Sequence, residues 1–215
     1  MIKGFIFDLD GVLVDTAVFH YQAWQKLANT LGFEIDLELN EQLKGISRMA
    51  SLDVILKHGN VILSDEEKLR WATEKNAWYL DLVEKMTPVD VLPGILQFLN
   101  ETKNAGIKIA LGSASKNAPI ILEKVGITSF FDAIIDGNHV SKSKPDPEVF
   151  LKGAIALGLE NQQCLVFEDA FAGIQAAHSA GMKTVGIGKK LDLPEADLLF
   201  QNTQEMGFEQ VLAYF

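Results

Sequence analysis

The chain has 215 residues, 48 % hydrophobic and 22 % charged, ample apolar content for the core of one domain or of a core domain with an insertion. A formal net charge of −10 repels phosphate, which excludes nonspecific binding to nucleic acid or to an anionic membrane, so any phosphate site has to be a local cationic feature. A single cysteine, Cys164, excludes an internal disulfide, and the N-terminal apolar run is cut by Asp8, so neither a signal peptide nor a membrane span is expected and the chain reads as a soluble cytoplasmic protein.

The first run, Gly4-Phe5-Ile6-Phe7, reads as a buried parallel strand, yet it ends by putting Asp8 and Asp10 on one face, about 6–7 Å apart along the chain. Two ionised carboxylates about 5 Å apart repel by roughly 3 kcal/mol at an effective dielectric near 20. A bound cation or a shared proton has to offset that, and both point to a site. From about Asp15 to Thr87 no strand pattern occurs. Helical spacing runs through HYQAWQKLANTLG, SRMASLDVILKHG and SDEEKLRWATEKNAWYLDLVEKM, the last opened by Ser64 and three acids, as helix starts favour. This is too long for a crossover, and it predicts a helical insertion with linkers near 13–16 and 87–92.

After it, apolar runs at 107–111, 132–135, 164–167, 183–187 and 197–200 alternate with helical stretches, and Gly106, Gly126, Gly158 and Gly181 fall where helices should stop. The fold class predicted is α/β: a doubly wound parallel sheet (residues 1–15 and 88–215) with an inserted helical cap (16–87). Ligands of such sheets bind beyond the carboxyl ends of the strands, where an insertion leaving strand one sits as a lid. The strand tips bring Asp8, Asp10, Ser113, Lys144, Glu168 and Asp169 to that edge. Four carboxylates against one ammonium call for a divalent cation, and oxygen ligands favour Mg²⁺. Cys164 is expected in a buried strand. Trp71 and Trp78 are expected to pack one helix face, and Gly186-Ile187-Gly188 to form a turn.

DxDGxxxD, a strand-end serine, lysine before Pro-Asp-Pro and then Glu-Asp, in this order, resemble the haloacid dehalogenase superfamily of phosphotransferases across the whole chain. LKGISR (43–48), GSASKN (112–117) and the Trp24-containing first cap helix resemble its phosphoglucomutase branch. The resemblance implies interconversion of β-D-glucose 1-phosphate and D-glucose 6-phosphate through an aspartyl phosphate and a glucose 1,6-bisphosphate intermediate. It implies Asp8 as nucleophile, Asp10 as general acid/base, and Mg²⁺ on Asp8, Glu168, Asp169 and the main-chain carbonyl of Asp10. Ser113 and Lys144 would hold the phosphoryl group, and Gly11 would let the backbone turn beneath it. Around the sugar and its second phosphate it implies Trp24, Lys44, Gly45, Arg48, Ser51 and Lys75 from the cap, with Ser115, Lys116 and Asn117 from the core. Trp24 reads equally as a cap-core aromatic. Thr16 and His20 would hold Asp10 away from the site until the cap closes, although a helix cap and a surface histidine fit the same pair.

Gly112, Asp146 and Ala170 depart from that pattern. A sugar-phosphate phosphatase shares every catalytic residue and differs in lacking the second clamp. A phospho-acceptor signalling domain would also cluster acids and a lysine, but without an insertion. The partners expected are small sugar phosphates, with no nucleic acid and no membrane, acting on a monomer.

Overall fold

Phe5 and Phe7 point to one face of their strand and Ile6 to the other, and each is buried in a different layer of the molecule. The computed structural model describes all 215 residues. Strand β1 (Gly4–Phe7) is followed by four helices: α1 (Ala17–Thr30), α2 (Leu37–Glu41), α3 (Arg48–His58) and α4 (Asp65–Val83). The chain then continues through α5 (Ile95–Asn104), β2 (Lys108–Gly112), α6 (Ala118–Lys124), β3 (Ala133–Ile135), α7 (Glu148–Leu157), β4 (Cys164–Glu168), α8 (Phe171–Ser179), β5 (Lys183–Ile187), β6 (Leu198–Phe200) and α9 (Phe208–Tyr214).

All six strands are parallel, in the order β3-β2-β1-β4-β5-β6, so β1 lies where the winding reverses. Phe5, Phe7, Phe98 of α5 and Phe167 of β4 form the aromatic heart of one layer, with Phe7 and Phe167 stacked at 4.4 Å. On the other face Ile6, Ala110 and Val166 pack against Phe150 and Ala154 of α7 and Ala176 and Ala177 of α8. Burial on both faces is what makes these strands read as unbroken apolar runs.

The inserted cap has a cluster of its own, in which Trp24, Leu27, Leu52, Ile55 and Ala72 join α1, α3 and α4. Its lower end is continuous with the core: Ala23, Tyr79, Val83 and Met86 belong to the same cluster as Phe5 and Phe7. The two linkers run side by side, with Leu92 N–H donating to Leu13 O at 2.9 Å and Val14 bridged to Val91.

Helix α1 starts at Ala17, ahead of the expected segment, while α2 and α9 have no counterpart in the sequence reading. Gly186 and Ile187 lie inside β5 and only Gly188 leaves it, which corrects the expected turn. Gly186 is there because a Cβ would meet Ala196 at 2.8 Å. Cys164 is fully buried at the start of β4, and burial pushes its thiol up to about 11. Trp71 and Trp78 both pack against the cap cluster.

Candidate active site

At the carboxyl end of β1, between sheet and cap, lies a cavity of about 420 Å³. Its floor is made by strand tips. Asp8, with its N–H on Phe167 O at 2.9 Å, is buried beside β4. Lys144 reaches it from the loop before α7: its Nζ donates to Asp8 Oδ1 at 2.6 Å and to Glu168 Oε1 at 2.5 Å. The other Glu168 oxygen accepts the Ala170 N–H at 2.8 Å. Lys144 and Glu168 are therefore fully engaged behind the cavity wall rather than on it. Burial alone would lower the Lys144 pKa, but the two carboxylates outweigh it and hold the ammonium well above its usual range.

Oxygens of Asp8, Glu168 and Asp169 lie within 4.8 Å of one another. Burial and then the neighbouring Glu168 charge raise Asp169 far above the usual carboxylate range, with Lys44 at 3.4 Å opposing. Carboxylate oxygens crowded in this way are the donor set a divalent cation fits; the Lys144 ammonium occupies only one oxygen of Asp8, while both Glu168 oxygens are already engaged.

Glycines make this crowding possible. Gly11 has φ +76°, and a Cβ there would lie 2.2 Å from Asp169 Oδ2. Gly173, one turn into α8, faces Glu168, and a Cβ would lie 1.9 Å from Oε1.

Asp10 sits at the cavity edge. Burial, then the Asp8 charge, push its carboxyl up to about 7, with the Thr16 hydroxyl opposing by donating to Oδ1. Thr16 is itself buried and accepts from Tyr79 Oη at 3.2 Å. It makes no helix-capping bond. His20 corrects the expected pair: its Nδ1 meets Lys75 Nζ at 2.9 Å rather than Asp10, and its ring packs on Tyr79. One helical turn carries His20 past Asp10 toward α4, where Lys75 is the nearer polar group.

The cap side of the cavity is cationic. Lys75 is 2 % exposed, with Nζ 4.3 Å above the Trp24 ring, and burial with the nearby Arg48 brings its pKa down to about 7. Burial and the same two cations hold His20 neutral. Trp24 is both things the sequence allowed, a member of the cap core and part of the cavity wall. Gly45, Ser51 and Asn40 complete that wall, and Gly45, at φ +73°, stands against Ala170.

The facing core loop contributes Ser113, Ser115, Lys116 and Asn117. Ser113 Oγ accepts the Ser115 N–H at 3.2 Å, and Ser115 Oγ accepts the Asn117 N–H at 3.3 Å. Arg48, Lys75 and Lys116 line the cavity with no acidic partner, whereas Lys44 pairs with Glu41 and Asp169.

The three departures have local reasons. A Cβ on Gly112 would press on Ile6 and Phe150 at 2.9 Å. Asp146 pairs with Lys142 at 3.2 Å, and the Glu168 bond to residue 170 needs only a backbone N–H, so Ala170 keeps it.

Sequence reasoning missed Tyr79, Gly173 and Asn76, whose Oδ1 accepts from Asn117 Nδ2 at 2.8 Å. Of these, only Tyr79 carried a signal, lying four residues from Lys75 on the same face of α4.

A six-stranded parallel sheet whose first strand ends in a paired-carboxylate site, covered by a helical insertion, defines a phosphotransfer fold. The chain matches the haloacid dehalogenase-like hydrolases over residues 5–187 and belongs to that family. It is 43 % identical to the β-phosphoglucomutase of Bacillus subtilis (strain 168), over 97 % of this chain and 93 % of that one. It is 33 % identical to the fructose-1-phosphate phosphatase YqaB of Escherichia coli (strain K12), over 86 % of this chain and 95 % of that one. The crystal structure of β-phosphoglucomutase from Clostridium difficile superposes with a TM-score of 0.97 at 48 % identity, covering 100 % of this chain and 97 % of that one. No helix is long and apolar enough to cross a membrane.

Proposed function

We propose that this chain is an isomerase that interconverts β-D-glucose 1-phosphate and D-glucose 6-phosphate through an aspartyl-phosphate enzyme and a glucose 1,6-bisphosphate intermediate. The observation that carries the reading is a cavity with two poles: the carboxylates of Asp8 and Asp169 on one side, and Arg48, Lys75 and Lys116, free of acidic partners, on the other. A bisphosphate needs both poles at once. High identity to two β-phosphoglucomutases supports the same substrates. A phosphatase reading, favoured by the 33 % identity to a sugar-phosphate phosphatase, uses the carboxylate pole alone and leaves the cationic pole without a task.

In this reading phosphorylated Asp8 gives its phosphoryl group to the 6-hydroxyl of β-glucose 1-phosphate while Asp10 takes the hydroxyl proton. The bisphosphate turns end for end. Asp8 then attacks the phosphorus at position 1 as Asp10 returns a proton to the leaving oxygen, which releases glucose 6-phosphate. An Asp10 carboxyl near 7 is suited to both directions of that proton transfer. Ser113 hydrogen-bonds the phosphoryl group, Lys144 orients the nucleophile, and Gly11 leaves room for the group to approach. Arg48, Ser51, Lys75, Ser115, Lys116 and Asn117 hold the second phosphate, with Lys44, Gly45 and Trp24 along the sugar. Mg²⁺ would be held by Asp8, Asp169 and the Asp10 carbonyl with Glu168 behind them, supplying neutralisation of charge on the phosphoryl oxygens. Thr16 keeps Asp10 engaged until substrate arrives, and His20 acts on Lys75.

We assign residues 1–15 and 88–215 to the catalytic core and 16–87 to the cap, supported by the separate cap cluster and the paired linkers. The reading takes the protein as a monomer, supported by a cavity lined within one chain. It places the protein in the cytoplasm, supported by proposed substrates too charged to cross a bilayer.

The test offers pure α- and β-glucose 1-phosphate with Mg²⁺ and a trace of bisphosphate. Glucose 6-phosphate from the β anomer alone is expected; inorganic phosphate as the main product would overturn the reading in favour of the phosphatase. Arg48→Ala should lower mutase turnover while largely sparing hydrolysis of a small phosphoester.

A further inference from the structure

Besides the Thr16–Asp10 bond beside the first linker, cap and core touch through few polar side chains. Lys44 meets Asp169 at 3.4 Å, Lys124 meets Glu84 at 2.6 Å, and Asn117 Nδ2 donates to Asn76 Oδ1 at 2.8 Å. These are not equivalent. Asp169 belongs to the carboxylate cluster, so a cation arriving there competes with Lys44. Lys124 and Glu84 are solvent-exposed, where an ion pair holds little. The amide pair is partly buried and neutral, so it joins cap to core without taking a carboxylate from the cation site or an ammonium from the phosphate.

Its two ends are fixed in informative places. Asn117 is buried, and its N–H is held by Ser115 Oγ, so its amide is aimed by the same loop that presents Ser115 and Lys116 to the cavity. Asn76 directly follows Lys75 on α4 and is therefore held by the helix that carries that cation. One hydrogen bond thus ties the cationic groups of the cap to those of the core.

We propose that Asn76 is a positioning residue: its bond to Asn117 sets the spacing between the cap's and the core's phosphate-binding groups, and so selects extended sugar phosphates over small phosphate esters. For the identity of the sugar phosphate this rests on the reading above; for the latch itself it does not. A short ester occupies only the carboxylate pole and does not need that spacing.

The experiment compares kcat/KM for β-glucose 1-phosphate and for p-nitrophenyl phosphate in the wild type, Asn76→Ala, Asn117→Ala and the double variant. Losing one neutral hydrogen bond should lower kcat/KM for the sugar phosphate about fivefold in Asn76→Ala and leave the small ester within about twofold. In the Asn117→Ala background the second substitution should change neither value further. Asn76→Leu, which keeps the side-chain volume, should behave like Asn76→Ala and guards against a packing effect. Equal losses on the two substrates, or additive losses in the double variant, would overturn the proposal. Product identity, glucose 6-phosphate or inorganic phosphate, judges the mutase reading separately, because the substrate ratio is read from consumption in either case.

Discussion

Lys75 and Asp10 show what burial does to single groups: a cation and an acid, ordinarily more than six units apart, are both brought to about 7. For Lys75 the burial and the Arg48 charge both disfavour the ammonium, so in the ligand-free enzyme it loses its proton as pH rises through 7. An anion bound against it restores the proton. Binding a sugar phosphate at pH 8 should therefore take up protons from solution, with Lys75 contributing up to about one, and at pH 6, where Lys75 is already charged, its share should vanish. Calorimetric titrations in buffers of different ionisation enthalpy measure this directly. Lys75→Met should reduce the uptake at pH 8, and affinity for the sugar phosphate should weaken in the wild type as pH climbs above 7. Equal uptake by wild type and Lys75→Met would show that Lys75 does not face the anion. Asp10 titrates in the same range, which is why the variant, and not the pH profile alone, makes the assignment.

At the level of the element, the strand tips explain why so much could be read without coordinates. The inner strands β1, β2 and β4 are buried on both faces and apolar to their ends, so the switch to Asp8, Ser113 or Glu168-Asp169 stands out as the edge where chemistry is done. The cap residues are legible only through resemblance, because Arg48 or Ser51 on a helix looks like any solvated residue. What escaped altogether was made by side chains with no distinctive type: Asn76, the partner of Asn117, and a glycine inside α8.

Gly173 illustrates the second case. Its missing Cβ is the space that Glu168 Oε1 occupies, and Glu168 in turn holds Lys144. Gly173→Ala should push Glu168 aside and destabilise the fold by about 1–3 kcal/mol. It should also depress kcat more than that loss explains, because Lys144 moves with Glu168. A chemical denaturation curve with a kcat measurement under folding conditions checks both.

A related clamp opens α7. Glu148 accepts the Ser141 and Lys142 N–H groups at 2.9 and 2.8 Å and the Lys152 ammonium at 2.7 Å, and Lys152 followed by the backbone of Lys142 holds its carboxyl down at about 2. A carboxyl lowered by folding stabilises above its ordinary value and ceases to do so as pH falls through its folded one. The loop before Lys144 should then loosen between about pH 4.5 and 2, and Glu148→Gln should show the looser loop already at neutral pH, measured as faster amide exchange at Ser141 and Lys142.

Across the whole molecule the cavity is a dipole: acids gathered by the sheet, cations offered by the cap and by the core loop of Lys116, and the fold holding them together. In a chain of net charge −10 the acidic side is the strained one. Asp10 and Asp169 are raised by burial and then by neighbouring carboxylates, Asp8 for the one and Glu168 for the other, so in the metal-free protein their ionised forms oppose folding at neutral pH. A divalent ion among them reverses that sign and binds the folded state alone. At a hundredfold excess over Kd such binding adds about 2.7 kcal/mol, which for a chain of this length raises the melting midpoint by about 5–11 °C. Mg²⁺ should thus raise the midpoint of the EDTA-treated wild type and restore its activity together, with one concentration dependence. Asp169→Asn removes a charge from the crowd as well as a ligand: without metal it should melt at or above the wild type, and added Mg²⁺ should move it little. A large Mg²⁺ shift persisting in Asp169→Asn would mean that the ion stabilises the protein from somewhere other than the edge where sheet and cap meet.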